Sequence, residues 1–157
     1  MMIPRLALAL LIALSALDGG MGAIAAEKPA SRYFIAGPVE AELVSVIDGD
    51  TLMVNARPWP QQTIAVLVRI RGIDTPEIRA KCARSRALAR DARAILADAL
   101  SRSGGRLHLS SISGDKYFGR VVADVMLDDD RDAASILLAS GLARPYDGGH
   151  KARESCN

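Results

Sequence analysis

Between Ala41 and Leu127 the hydrophobic pattern changes its period several times, and each change marks an element. Ala41 to Ile47 and Thr51 to Ala56 are short apolar and β-branched runs on either side of Asp48-Gly49-Asp50, which predicts a hairpin. Arg57-Pro58-Trp59-Pro60-Gln61-Gln62 follows as a loop, because two prolines so close together exclude ladder pairing. Ile64 to Ile73 alternates with period two, placing Val66, Val68 and Ile70 on one face and Leu67, Arg69 and Arg71 on the other. Pro76 ends that strand within Asp74-Thr75-Pro76-Glu77, since it lacks an amide donor and restricts Thr75.

The period then becomes helical. From Ala83 to Ser103, Leu88, Ala92, Ile95, Leu96, Ala99 and Leu100 form one stripe, and Gly104-Gly105 stops it. Arg84, Arg86, Arg90 and Arg93 lie off the stripe and read as a solvated face, diluted by Asp91 and Asp98. Leu107 to Ile112 and Val121 to Leu127 are two more strands, with Ser113 to Arg120 between them. Asp128-Asp129-Asp130 reads as a solvated hairpin tip, and Asp132 caps a short helix, Ala133 to Ser140, closed by Gly141. After Arg144-Pro145-Tyr146 no period remains. This order predicts an α+β domain: a small five-stranded Greek-key barrel of the oligonucleotide-binding type (OB-fold) with two to three packed helices.

Composition narrows the class. The chain has 157 residues, 50% hydrophobic and 24% charged, enough for one domain with a core that needs no metal or disulfide staple. Twenty Lys and Arg against eighteen Asp and Glu leave +2, so any nucleic-acid contact must rely on local charge. Low-complexity, collagen-like and multi-span membrane architectures are excluded.

The leading segment is of another kind. Arg5, the apolar run Leu6 to Leu17, the break at Asp18-Gly19-Gly20 and the small residues Ala23-Ile24-Ala25 form the pattern of an export signal. As a helix that run spans about 18 Å, short of a hydrocarbon core of about 30 Å. The expected organisation is therefore a signal peptide (1–26), a linker (27–39), a domain (40–147) and a tail (148–157). It predicts a secreted or periplasmic monomer with no stable membrane association after cleavage. In an oxidising compartment Cys82 and Cys156 can bridge, worth roughly 3–5 kcal/mol; two unrelated thiols are the alternative. Zinc is not expected, with no CxxC and only His108 and His150 as imidazoles.

The chemistry concentrates in two acidic turns, Asp48 and Asp50 in one and Asp74 and Glu77 in the other. Carboxylates brought together repel and raise each other's pKa unless a hard cation neutralises them. Arg69 lies on the strand that delivers Asp74, and Arg120 follows a glycine-containing turn. A cation, a carboxylate base and two guanidinium groups make a phosphoryl-transfer set.

Asp48-Gly49-Asp50-Thr51, then Arg69 five residues before Asp74-Thr75-Pro76-Glu77, then Asp115-Lys116-Tyr117-Phe118-Gly119-Arg120, resembles the staphylococcal nuclease (thermonuclease) family over roughly residues 41 to 146. The resemblance implies a calcium-dependent nuclease that cleaves the 5′ P–O bond of DNA or RNA and leaves 3′-phosphate ends. It assigns calcium to Asp50, Asp74 and the Thr75 carbonyl, with Asp48 in support. Glu77 becomes the general base, and Arg69 and Arg120 the phosphate-gripping arginines. Lys116, Tyr117 and Tyr146 become nucleotide contacts. Phe118 is inserted between the Tyr and Gly of the usual turn, so Arg120 is either displaced or kept in place by a bulge. Ile78-Arg79-Ala80-Lys81-Cys82 replaces the family's basic loop. A non-catalytic barrel that binds nucleic acid or a protein partner at the same rim is the alternative function.

Overall fold

A computed structural model describes residues 33–149 and 156 of the chain. The expected signal peptide, residues 27–32 of the expected linker, and residues 150–155 and 157 of the expected tail lie outside the described residues.

The Asp48-Gly49-Asp50 turn joins β2 (Val39–Asp48) to β3 (Thr51–Arg57) as the predicted antiparallel hairpin. The proline loop leads to β4 (Ile64–Ile70), antiparallel to β3. Past α1 (Ala83–Arg102), β6 (Arg106–Gly114) pairs antiparallel with both β2 and β7 (Arg120–Leu127). β7 then runs parallel to β4 and closes the ring. The result is the expected α+β, five-stranded closed barrel with two helices, the second being α2 (Ala133–Ala139). Three further two-residue strands complete it: β1 (Phe34–Ile35), β5 (Ile73–Asp74) and β8 (Arg144–Pro145).

Alternation places the core. Leu52, Val54, Val68, Ile70, Leu107, Leu109, Ala123, Val125 and Leu127 point inward and are buried. α1 covers the barrel with Ala89, Ala92, Leu96, Ala99 and Leu100, while Leu88 and Ile95 of the predicted stripe are only half-buried. The buried face is rotated toward alanines because the helix sits against the β2–β3 turn. A Cβ on Gly49 would lie 2.8 Å from the Ala92 Cβ, so only small residues permit that approach. Arg93 Nε donates to the Val46 carbonyl at 2.9 Å and ties α1 to β2.

Several expectations are corrected. The single strand Ile64 to Ile73 is broken at Gly72, whose φ of 79° turns Ile73–Asp74 into a new direction where it pairs with β8. Residues Arg144–Pro145, to which the sequence assigned no element, are thus paired. Phe34–Ile35, expected to be linker, pairs with β6. β6 is longer than predicted and carries a bulge between Ser110 and Ser113, where Ser111 adopts a φ of 53°. Asp128 to Asp130 form an exposed reversal between β7 and α2, closed by an antiparallel bridge from Met126 to Asp132 and by the Leu127 amide donating to Arg131 O at 2.8 Å. Asp132 caps α2 as expected, accepting from the amides of Ala134 at 3.4 Å and Ser135 at 2.8 Å.

Cys82, the residue just before α1, is disulfide-bonded to Cys156, with the two Cα atoms 5.4 Å apart. Among the described residues no helix is long and apolar enough to cross a membrane.

Candidate active site

The β2–β3 turn is docked rather than free. Ile70 N donates to the Asp50 carbonyl at 2.8 Å, and a Cβ on Gly49 would meet Thr75 Oγ1 at 2.8 Å. Glycine between the two aspartates is what lets this turn press against Thr75. Asp50, Asp74 and Thr75 are all buried. Asp50 Oδ2 accepts the Thr75 amide at 3.2 Å and its Oδ1 accepts the Thr51 hydroxyl at 3.0 Å.

Arg69, which alternation placed on the outer face of β4, is itself only 9% exposed. Its guanidinium forms an ion pair with Asp50 Oδ2, lies 3.5 Å from Asp74 Oδ1 and donates to the Ile73 carbonyl at 2.9 Å. Two buried carboxylates thus share one buried guanidinium. Nη1 touches Asp50 through charge alone, without a hydrogen bond of acceptable alignment. Asp48 accepts the Asp50 amide at 3.2 Å. Burial, and then the Asp50 charge beside it, push the Asp48 carboxyl up to about 6.

Asp48, Asp50, Thr51 and Arg69 open onto a cleft of ≈ 1540 Å³, whereas Asp74 and Thr75 lie behind them and outside its lining. Asp48, Asp50 and Arg69 line its floor, the exposed Glu77 lines it from the loop after Asp74, and Arg120 lines it from the start of β7. The Ala80 amide donates to Glu77 O at 3.0 Å and holds that loop in a turn. Lys116, Tyr117 and Tyr146 border the same cleft. Tyr146 is fixed by its amide to Gly72 O at 2.9 Å and by its hydroxyl to Gly149 O at 2.7 Å.

The β6–β7 turn that contains Phe118 delivers Arg120 to the cleft. Arg120 N donates to Tyr117 O at 3.3 Å, and Gly119 has a φ of 80°, so residues 117–120 form a type II turn with Phe118 at its corner. Arg120 stays in register opposite Leu67, pairs with Asp115, and stacks its guanidinium over Tyr117, 4.6 Å from the ring centre.

Residues 67–156, more than half of the chain, match the family model of the staphylococcal nuclease homologues. The chain belongs to this family. No curated protein matches it. Staphylococcal nuclease homologues are typically nucleases and in general depend on calcium. The matched stretch holds Arg69, Asp74, Thr75, Glu77, Arg120 and both cysteines, whereas Asp48 and Asp50 precede it and join the site through the hairpin.

Whether these residues suit calcium follows from the donors. Among the described residues no three His, Cys, Asp or Glu side chains form a metal-holding group. The set expected here has two carboxylates and a backbone carbonyl, all hard oxygen donors. Asp50 and Asp74 are two buried carboxylates facing two guanidinium groups, Arg69 and, at the outer side of Asp74, Arg144, and Asp48 adds a third carboxyl beside them. Each carboxylate oxygen has two acceptor directions, so the Thr51 and Thr75 donors leave Asp50 able to take a further partner. The residues fit a hard divalent cation.

Two supporting arginines were not singled out by sequence. Arg144 on β8 places Nη2 3.6 Å from Asp74 Oδ2, from a segment with no period to flag it. Arg71 reaches the carbonyls of Ser111 and, at 3.1 Å, Val122, and its Nε lies 3.2 Å from Asp124. It joins the end of β4 to the β6 bulge and to β7; its shared parity with Arg69 was the only signal.

Proposed function

We propose that the protein is an exported, calcium-dependent nuclease that hydrolyses phosphodiester bonds of DNA or RNA internally and leaves 3′-phosphate ends. The observation that carries this reading is that Asp50, Arg69, Glu77 and Arg120 line one cleft, with Asp74 behind Arg69 at 3.5 Å. Asp50, Asp74 and the Thr75 carbonyl would hold calcium, which when bound would supply positive charge to the reacting phosphate. Glu77 takes a proton from water as the water oxygen bonds to phosphorus. The P–O5′ bond breaks, and the departing oxygen is protonated from solvent. Arg69 and Arg120 hold the phosphate oxygens as their charge grows. Arg120 is pre-set for this by Asp115 and by the Tyr117 ring. Export is supported by the leading segment and by the Cys82–Cys156 bridge, which an oxidising compartment maintains.

Digestion of plasmid and single-stranded DNA by the purified protein, in calcium and in chelator, tests the reading. Cutting in calcium alone is expected. A folded sample that binds nucleic acid or a protein without cutting in either condition would replace it with a non-catalytic binding barrel.

A further inference from the structure

The chain has only two phenylalanines, and Phe118 is fully exposed, at 108% relative accessibility. A phenyl ring left in water forgoes the stabilisation that burial gives, and single exposed apolar residues are ordinary on a surface. This one differs in its surroundings. It occupies the corner of the type II turn that directs its side chain away from the barrel, two residues before Arg120 and next to the cleft-lining Lys116 and Tyr117. The Tyr117 ring is already occupied by cations, with Lys116 Nζ at 5.1 Å and Arg120 Cζ at 4.6 Å from its centre. Phe118 is not itself part of the cleft lining; it is an uncovered ring one residue beyond the cleft-lining Lys116 and Tyr117 and two before Arg120.

We infer that Phe118 is a stacking platform for an unpaired nucleobase flanking the phosphate held by Arg120, and so favours single-stranded over duplex nucleic acid. The inference rests on the proposed function for the identity of the ligand. Charge complementarity selects the occupant: Lys116 and Arg120 suit the backbone phosphates, and the π-face of Phe118 suits any base. A paired base presents no free face to such a ring, whereas an unstacked base in a single strand does.

The test compares wild type with Phe118→Ala and Phe118→Trp on a single-stranded oligonucleotide, the same strand carrying an abasic site, and a duplex. Phe118→Ala is expected to raise KM for the single strand about five- to hundredfold with kcat little changed. Phe118→Trp should restore it, and the abasic strand and the duplex should not respond. Equal KM values for wild type and Phe118→Ala on the single strand, or the same loss on the abasic strand, overturn the inference. Binding separates it from the question of catalysis. In calcium, anisotropy of a fluorescein-labelled oligothymidylate is measured with Glu77→Gln and with Glu77→Gln/Phe118→Ala. A Kd that rises with loss of the ring supports stacking even where wild type cuts nothing. An unchanged Kd overturns it whatever the activity, and a ring-dependent change in sedimentation without nucleic acid, with the Kd unchanged, reassigns Phe118 to contact between copies of the chain.

Discussion

At the scale of the residue, Arg69 joins two demands in one side chain. It pairs with Asp50 and lies 3.5 Å from Asp74 in a buried setting, and it faces the cleft where a phosphate would lie. Lysine keeps the charge but offers a single ammonium in place of the planar guanidinium that spans both carboxylates. Arg69→Lys is expected to lower turnover about 10²- to 10³-fold and to lower the melting temperature as well. Steady-state kinetics and calorimetry read the two effects, and a variant with full rate would remove Arg69 from phosphate binding. Glu77 is different because it is exposed on the loop, with no core to disturb. Glu77→Gln should cost at least about a hundredfold in kcat while oligonucleotide affinity stays near wild type. Near-normal turnover would assign the base elsewhere.

At the scale of the element, strands and helices were legible wherever a period ran for a full turn or several residues. β4 came from alternation and α1 from a 3.6-residue stripe, β2 and β3 from apolar runs on either side of Asp48-Gly49-Asp50, β6 and β7 from the two runs after Gly105, and α2 from its Asp132 cap. β1, β5 and β8 are two residues each, too short to carry any period, so pairing partners rather than local pattern define them. Alternation also gave the parity of Arg69 but not its burial, because the outer face of β4 at that point is covered by the docked β2–β3 turn. The acidic turns, both arginines and Glu77 were legible as a motif. The support from Arg144 and Arg71 was not, since each acts across pairings that the sequence does not display. The α2 cap is the simplest test at this scale. Asp132→Ala leaves the Ala134 and Ser135 amides without their acceptor and should cost about 1 kcal/mol, a drop of a few degrees in melting temperature. Cleavage rate should be unaffected, because Asp132 lies outside the cleft lining.

At the scale of the whole molecule, the barrel is closed by hydrogen bonding between β4 and β7, and one covalent link ties the segment before α1 to Cys156. The Cys82–Cys156 bridge spans 74 positions, for which the chain-entropy relation gives about 4 kcal/mol of stabilisation. Urea unfolding of the oxidised protein against a Cys82→Ser/Cys156→Ser variant should show a loss of that order, and equal midpoints with equal slopes would show the link to be energetically idle.

That link also decides which molecule an experimenter holds. Gly149 still borders the cleft, and the chain returns by Cys156 to the foot of α1, beyond the loop that carries Glu77. Dithiothreitol in a storage buffer, or production in a reducing cytoplasm, would deliver a chain whose end is untied from that loop. Preparations from an oxidising host and from a reducing one should therefore be treated as separate reagents, and their specific activities compared before either is taken as the protein's own.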